Sequence, residues 1–178
     1  MKVNVKKLAV SAMLVALAVA LSGFSIPMGA SKCFPVQHLV NVLAGVFLGP
    51  GYSVSMAFGT SFIRNLMGTG SLLAFPGSMA GALICGLAYR YSGRLALAYG
   101  GEVFGTGIVG SILCYPVATL VMGKEAALFT YVIPFLMSTL CGTVIGAFLI
   151  GFLCKSGAFR YMKHLLEGEV QPAGAVGK

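Results

Sequence analysis

Apolar runs follow one another along this chain between residues 6 and 154, separated only by short breaks rich in glycine, proline and basic residues. Of the 178 residues, 58% are hydrophobic and 9% are charged, and the mean hydropathy is +0.94. No aqueous core in a chain of this size could bury so much apolar surface. The pattern therefore predicts an all-α integral membrane protein that folds as a single helical bundle.

Six runs are predicted to form transmembrane helices, which need about 20 apolar residues each, with roughly 17 to 25 tolerated. The first four are expected at residues 6–23, 36–48, 52–67 and 75–91. The fifth begins at either Leu95 or Gly101 and ends at Met122, and the sixth covers residues 128–154. Residues 24–35 are predicted to form a loop, because they include two prolines and two pairs of small residues.

Basic residues support this count, because the cytoplasmic ends of membrane helices carry an excess of Lys and Arg. Six spans place both termini on one side, together with nine basic residues: Lys2, Lys6, Lys7, Arg90, Arg94, Lys155, Arg160, Lys163 and Lys178. Only three lie on the other side: Lys32, Arg64 and Lys124. We therefore expect a multi-pass protein of the plasma membrane with both termini cytoplasmic. Residues 1–157 would form its membrane domain, and residues 158–178 a cytoplasmic C-terminal tail.

The net charge of +8 does not indicate a nucleic-acid partner, since the basic residues are scattered at the ends of apolar runs. The N-terminal run is interpreted as a retained first span, because the bulky Met28 stands where cleavage of a signal peptide requires a small residue. The five cysteines have no CxxC spacing, and four of them lie within apolar runs. We therefore expect no metal site, no cofactor and no redox role for them.

A compact polar and aromatic cluster lies among the apolar runs at residues 31–41, SKCFPVQHLVN. Gln37, His38 and Asn41 fall at positions i, i+1 and i+4 of the second predicted helix, and so share one face near its outer end. Lys32 and Phe34 add charge and an aromatic surface. An unpaired polar group facing lipid costs roughly 2 to 7 kcal/mol, so such a cluster is expected to face a cavity. Polar pairing between helices is the alternative, but three such residues in one turn favour contact with a ligand.

Further candidate ligand-binding residues lie at the same outer face in this topology. Arg64 and Asn65 end the third predicted helix, where Arg64 either faces the pocket or extends to the lipid headgroups. Phe75 and Ser78 open the fourth helix with a ring and a hydroxyl, and Tyr115 lies in the outer half of the fifth. These residue types predict a site for a small, mostly neutral aromatic molecule with one or two hydrogen-bonding groups.

Glu102 is the first acidic residue of the chain, and its role depends on where the fifth helix begins. If that helix begins at Gly101, Glu102 lies in its first turn, where the helix dipole favours a negative charge and Arg90 or Arg94 is within reach. We favour this structural interpretation. A carboxylate that faces the pocket is the alternative, which makes Glu102 a possible ligand-binding residue.

Small residues recur at four-residue spacing, which lets membrane helices approach closely. In helices 4, 5 and 6 the pattern favours packing within the bundle; it comprises Gly77, Gly81, Cys85, Gly101, Gly105, Gly142 and Gly146. In the first helix, Ala12, Ala16 and Ala20 form a stripe with no polar residue to hold it inside the bundle. A helix of a partner protein is therefore an alternative occupant of that face.

Enzyme functions are disfavoured by the motifs of this chain. It has no HExxH, no GxSxG and no phosphate-binding loop, and its four acidic residues are too few for a metal-dependent membrane hydrolase. We therefore expect no enzymatic activity, and any energy for transport must come from another subunit or from an ion gradient.

Three segments resemble the substrate-binding (S) components of energy-coupling factor (ECF) vitamin transporters, specifically the hydroxyethylthiazole (ThiW) type. They are KCFPVQHLVNVLAGVFLGP, RNLMGTGSLLAFPGSMAGAL and GEVFGTGIVG. The resemblance implies six helices, a vitamin or its precursor bound at the outer face, and three partners: a transmembrane coupling subunit and two cytoplasmic ATPase subunits. It also implies that Ala12, Ala16 and Ala20 contact the coupling subunit.

The ligand that the resemblance implies is the thiamine precursor 4-methyl-5-(2-hydroxyethyl)thiazole, a thiazole alcohol. Two other functions stay open at this point. One is an S component for another small vitamin precursor. The other is a stand-alone secondary carrier, although the sequence has no visible inverted repeat with broken helices at matching positions.

Overall fold

Helices make up most of the chain in the computed structural model, which describes residues 4–28, 31–123, 127 and 129–167. Within these residues the helices are α1 (Val5–Ala20), α2 (Pro35–Phe47), α3 (Pro50–Leu66), α4 (Ala74–Ser92), α5 (Leu95–Val121), α6 (Val132–Lys155) and α7 (Ala158–Glu167). A short antiparallel hairpin of β1 (Ile26–Met28) and β2 (Ser31–Cys33) lies between α1 and α2. The prediction of a helical protein is confirmed, but the expected loop at residues 24–35 contains this hairpin.

Three helices of the described part of the chain are long and apolar enough to cross a membrane: α1 with its last turn (Val5–Gly23), α5 and α6. The apolar α2 is shorter, with 13 residues. This arrangement confirms the expectation of a multi-pass membrane protein. The count of six spans and the cytoplasmic position of the termini stay predictions, because α2, α3 and α4 do not reach that length and apolar character.

The short helix α2 is the centre of the bundle and contacts each of the other six helices described. Ten of its thirteen residues are buried, as expected of a helix that is apolar on nearly every side. Gly49 follows it with a φ of 88°, a left-handed conformation that glycine adopts without strain. The chain can therefore reverse at once, and α3 begins at Pro50, where no backbone donor is needed.

Glycine lets α4 and α5 pack with their backbones almost in contact. A Cβ atom at Gly105 would lie 2.8 Å from the Cα atom of Gly81, and one at Gly110 would lie 2.8 Å from that of Gly77. Gly142 of α6 packs in the same way, with its backbone almost in contact with the first turn of α2. Any larger residue would separate these helices, so the predicted packing role of the small residues in helices 4, 5 and 6 is confirmed.

α5 begins at Leu95, which decides between the two predicted starting points. It contains two π-helical stretches, Gly105–Gly110 and Val117–Val121. The second follows Pro116, whose missing N–H and bulky ring prevent regular α-helical bonding. α6 begins at Val132, later than expected, after a turn at residues 129–131. The residues predicted to form the preceding loop, Lys124 and Glu125, and the predicted helix start at Leu128 lie outside the described residues.

Part of the expected C-terminal tail forms α7, which packs across the end of the bundle. The Phe159 ring lies 5.1 Å from that of Phe47, and Leu166 is almost fully buried. The carbonyl of Leu166 accepts a hydrogen bond of 2.9 Å from Asn4 Nδ2, which joins α7 to the start of α1. Residues 168–178 of the predicted tail lie outside the described residues.

Candidate functional site

A small cavity lies at the end of the bundle where α2 begins and α3 ends. Ten residues from five parts of the chain line it: Phe34, Gln37, His38, Ser71, Ala74, Gly77, Ser78, Thr106, Phe135 and Ser138. Its volume is about 30 Å³, which is the space that about one water molecule occupies. The lining combines two phenyl rings with hydroxyl, amide and imidazole groups, so it suits a small molecule that is both aromatic and polar.

Glu102 of α5 lies behind the polar residues of this cavity and bonds to one of them, His38, and to Thr106. Its side chain is fully buried, and Oε1 lies 3.0 Å from His38 Nδ1, 3.1 Å from Asn41 Nδ2 and 3.2 Å from Thr106 Oγ1. An ionised carboxylate oxygen can only accept, so His38 then donates its proton from Nδ1, and in a neutral ring Nε2 is left as the acceptor. The carboxylate therefore determines which imidazole nitrogen can serve a molecule in the cavity.

The preferred interpretation of Glu102 from sequence, a first-turn residue near Arg90 or Arg94, is wrong. α5 begins at Leu95, which places Glu102 in its third turn and inside the bundle. There Asn41 Nδ2 also donates to the carbonyl of Ser78 at 3.2 Å, so one amide connects α2, α4 and α5.

Arg64 lies on the opposite side of the cavity and is 1% exposed, so it does not extend to the lipid headgroups. Its guanidinium group lies 3.8 Å from the centre of the Phe34 ring, and Nη1 donates to Gln37 Oε1. Gln37 Nε2 donates in turn to Ser61 Oγ at 3.2 Å. The cation over the ring face and the bond to Gln37 hold both lining residues in place. Arg64 is therefore buried against two lining residues and does not itself line the cavity.

Three buried polar atoms of these two networks have no hydrogen-bond partner among the described residues: Asn41 Oδ1, Arg64 Nε and Glu102 Oε2. An unpaired buried polar atom costs about 1 to 3 kcal/mol, and native proteins have few of them. Three of the six such atoms found among the described residues therefore belong to side chains that lie behind the residues lining this cavity.

The structure brings together most of the residues that the sequence nominated. Phe34, Gln37, His38 and Ser78 line the cavity. Asn41, Arg64 and Glu102 form the shell behind these residues, and each is at most 1% exposed.

The other three nominated residues belong neither to the lining nor to the shell behind it. Asn65 donates to the carbonyls of Ser61 and Ser71 and so holds the loop between α3 and α4. Phe75 packs on Phe58, with ring centres 5.5 Å apart. Tyr115 is 36% exposed on the surface of α5. Asn65 thus positions a segment of the site, whereas Phe75 and Tyr115 have no contact with the cavity in this structure.

Several residues that line the cavity or bond to its lining were not foreseen from sequence. Thr106 lies one turn after Glu102, and Ser61 one turn before Arg64, so helical spacing from a nominated residue could have found both. Phe135 and Ser138 come from α6, and only the packing of α6 against α2 brings them to the cavity. Ser138 Oγ accepts a hydrogen bond of 2.8 Å from the backbone N–H of Phe34.

The fold defines a multi-pass membrane protein with a small amphipathic cavity at one end of its bundle. The family model for the thiamine-precursor transporter protein (ThiW) matches residues 8–156, which is most of the chain. The chain therefore belongs to this family, and the resemblance inferred from sequence is confirmed. It is a transporter of thiamine precursors and not an enzyme. A comparison with curated proteins gave no match.

Proposed function

We propose that the chain is the substrate-binding subunit of an ECF-type importer and that its ligand is 4-methyl-5-(2-hydroxyethyl)thiazole. The observation that carries the proposal is the pairing of two phenyl rings, Phe34 and Phe135, with His38 and Ser138 around one small cavity. A thiazole alcohol has a flat aromatic ring, one ring nitrogen and one hydroxyl. Membership of a thiamine-precursor family narrows the ligand to a part of thiamine.

The polar groups of the cavity complement the two polar atoms of this ligand. Glu102 holds His38 Nδ1, so Nε2 can accept a hydrogen bond from the ligand hydroxyl. Ser138 Oγ already accepts from the Phe34 N–H, so its own hydrogen can be donated to the thiazole nitrogen. The thiazole ring itself would lie against Phe34 and Phe135, since aromatic rings pack in offset or edge-to-face contact.

The cavity has to widen to accept this ligand, because about 30 Å³ is too small for an aromatic ring with a side chain. Phe135 is half-buried, and its ring packs directly against Gly77. A Cβ atom at Gly77 would lie 2.7 Å from the Phe135 Cε2 atom. Rotation of the Phe135 side chain would open space without moving a helix. Changes of rotamer at this scale are common when ligands bind.

Coupling to partners is the second part of the proposal. We place six spans in the membrane with both termini cytoplasmic, and a coupling subunit on the stripe of Ala12, Ala16 and Ala20. Two observations support the stripe: all three alanines are exposed, whereas Ser11 and Ala18 on the opposite side of α1 are buried against the bundle. The sequence carries no nucleotide-binding loop, so two ATPase subunits would supply the energy.

Isothermal titration of the purified protein in detergent tests the ligand assignment. We expect binding of the thiazole alcohol, and binding weaker by about 1 to 3 kcal/mol for 5-ethyl-4-methylthiazole, which lacks the hydroxyl and leaves a buried acceptor unpaired. The pyrimidine alcohol that forms the other half of thiamine is the competing ligand. If it binds more tightly than the thiazole, the chain is an S component for another precursor. Equal binding of the thiazole with and without hydroxyl would contradict the role of His38.

A further inference from the structure

A second and larger cavity lies at the opposite end of the bundle, where α2 ends and α3 begins. Its volume is about 530 Å³, within the range of roughly 300 to 1,000 Å³ that is typical of small-molecule sites. Its lining comprises Lys7, residues 45–52, Gly86, Tyr89, Arg90, Gly93 and Lys163. None of these residues lines the first cavity, so the two spaces are separate.

The lining of this second cavity carries positive charge from three helices. Lys7 comes from α1, Arg90 from α4 and Lys163 from α7, and no acidic residue is among the described lining residues. Glu102, the one acid whose side chain is described, lies at the other cavity. Lys7 Nζ reaches only the Leu48 carbonyl, at 3.5 Å, and Lys163 Nζ donates to the Tyr89 hydroxyl at 3.2 Å. Within the described part of the chain, an anion in the cavity would therefore meet Lys7 and Arg90 with no carboxylate among the lining side chains.

Backbone groups add to this positive potential. The 17-residue helix α3 begins at Pro50 on the wall of the cavity, so the positive end of its dipole faces the space. The N–H groups of Gly51 and Tyr52 in its first turn have no backbone partner within the described residues. Free N–H groups at a helix start, together with an arginine and a lysine, are the groups that proteins use to bind phosphate.

The surroundings of the cavity also suit a lipid. On α1 the apolar residues Val5 and Leu8, on either side of Lys7, are exposed, as expected of a surface that meets acyl chains. Lys6 and Arg94 lie at the same end of the bundle as Lys7 and Arg90. Basic pockets between membrane helices at such a positively charged end bind the headgroups of anionic lipids.

We propose that this basic cavity binds a phosphate group, supplied by an anionic phospholipid headgroup or by a soluble phosphate compound. Lys7 and Arg90 are the charged contacts, and the first turn of α3 contributes backbone N–H groups. The inference is independent of the thiazole site, because it rests on different residues at the other end of the molecule.

Native mass spectrometry of the full chain tests the site with phosphatidylglycerol and with phosphatidylcholine of the same acyl chains. We expect the anionic lipid to be retained preferentially. Each of Lys7→Gln and Arg90→Gln should weaken its binding about fivefold, because one basic group near a membrane surface contributes roughly that factor. Competition by inorganic phosphate identifies the source of the bound phosphate group. Displacement of the lipid by phosphate shows that the phosphate group itself is bound. Binding of phosphate with no preference for the anionic lipid assigns the site to a soluble compound.

Two neighbouring cations provide matched controls. Lys6 is next to Lys7, and Arg94 is one turn beyond Arg90, but neither control residue lines the cavity. Lys6→Gln and Arg94→Gln should therefore leave lipid retention within about twofold of the unmodified chain. If these control variants weaken lipid retention as much as Lys7→Gln and Arg90→Gln do, lipid binding depends only on the general surface charge, and the proposed site does not exist. Failure of both phosphatidylglycerol and inorganic phosphate to bind would overturn the proposal equally.

Discussion

At the scale of single residues, the site depends on side chains that act on His38 from behind. Glu102 Oε1 accepts from His38, Asn41 and Thr106, and it is sealed from solvent. In such an environment each hydrogen bond is strong, and a missing partner is correspondingly costly. Glu102 therefore positions the imidazole, although it does not line the cavity itself.

We expect Glu102→Leu to weaken binding of the thiazole alcohol by about 1 to 3 kcal/mol, because it removes the acceptor for His38 Nδ1 and frees the ring to turn or change tautomer. Glu102→Gln should retain most of the affinity, since its amide oxygen can still accept from His38. Titration calorimetry on both variants measures the difference.

Thr143→Val is the control for this pair, because Thr143 is buried on α6 and its hydroxyl has no partner within the described residues. It should leave binding unchanged. Equal losses for Glu102→Leu and Glu102→Gln would mean that the negative charge matters and not the acceptor position.

Part of this residue-level picture could be predicted from sequence, and the limit has a physical reason. Gln37 and His38 were found because helical spacing places them on one face, which is local geometry. The same spacing grouped Asn41 with them, yet Asn41 bonds to Ser78 and Glu102 behind the cavity. Contacts between helices depend on how the bundle packs, and a single sequence does not encode that in any local pattern.

At the scale of helices, some helix faces pack inside the bundle and others are left exposed. α2 is buried on nearly all sides, whereas α1 packs mainly through the face of Ser11 and Ala18. The stripe of Ala12, Ala16 and Ala20 is exposed. In lipid, small residues at this spacing let another helix approach closely, which favours a docking role over simple contact with lipid.

We expect Ala16→Trp to leave insertion and ligand binding of the isolated protein unchanged, because the new side chain lies on an exposed face. It should abolish co-purification with the coupling subunit, since the indole fills the groove that a partner helix would occupy. Pull-down of the coupling subunit and calorimetry on the same preparation give the two readouts.

Ala18→Trp is the matched control, since Ala18 is the same residue type two positions away and only 3% exposed. There the indole would overpack the bundle at a cost of roughly 1 to 3 kcal/mol, and thermal stability should fall. If Ala16→Trp lowers stability as Ala18→Trp does, the stripe belongs to the bundle and not to a docking face.

The apolar runs of the sequence located α1 to α6, the 13-residue α2 included. α7 was missed because only a few apolar residues, among them Phe159, Met162 and Leu166, mark its buried face, and a polar segment at a chain end shows no membrane signal. The hairpin of β1 and β2 was missed as well, since strands of three residues are too short for an alternating pattern to be recognised.

At the scale of the whole molecule, the proposed thiazole site and the basic cavity lie at opposite ends of α2. On that helix the nearest lining residues of the two cavities, His38 and Gly45, are seven residues apart, which is about 10 Å at 1.5 Å per residue. The close packing of α4 with α5 and of α6 with α2 through glycine leaves little room for these helices to slide. We therefore propose that release of a ligand at the other end depends on partner subunits.

The last prediction follows from this separation of binding and release. In liposomes that contain this protein alone, we expect the thiazole alcohol to bind and not to accumulate inside, with or without a proton or sodium gradient. Addition of the coupling subunit and the two ATPase subunits should make uptake depend on ATP. Glu102→Leu in the complete assembly should slow uptake in proportion to its weaker binding, which ties transport to the described site. Accumulation by the protein alone, driven by an ion gradient, would instead identify a secondary carrier, and the packed glycine contacts would then have to separate during each cycle of transport.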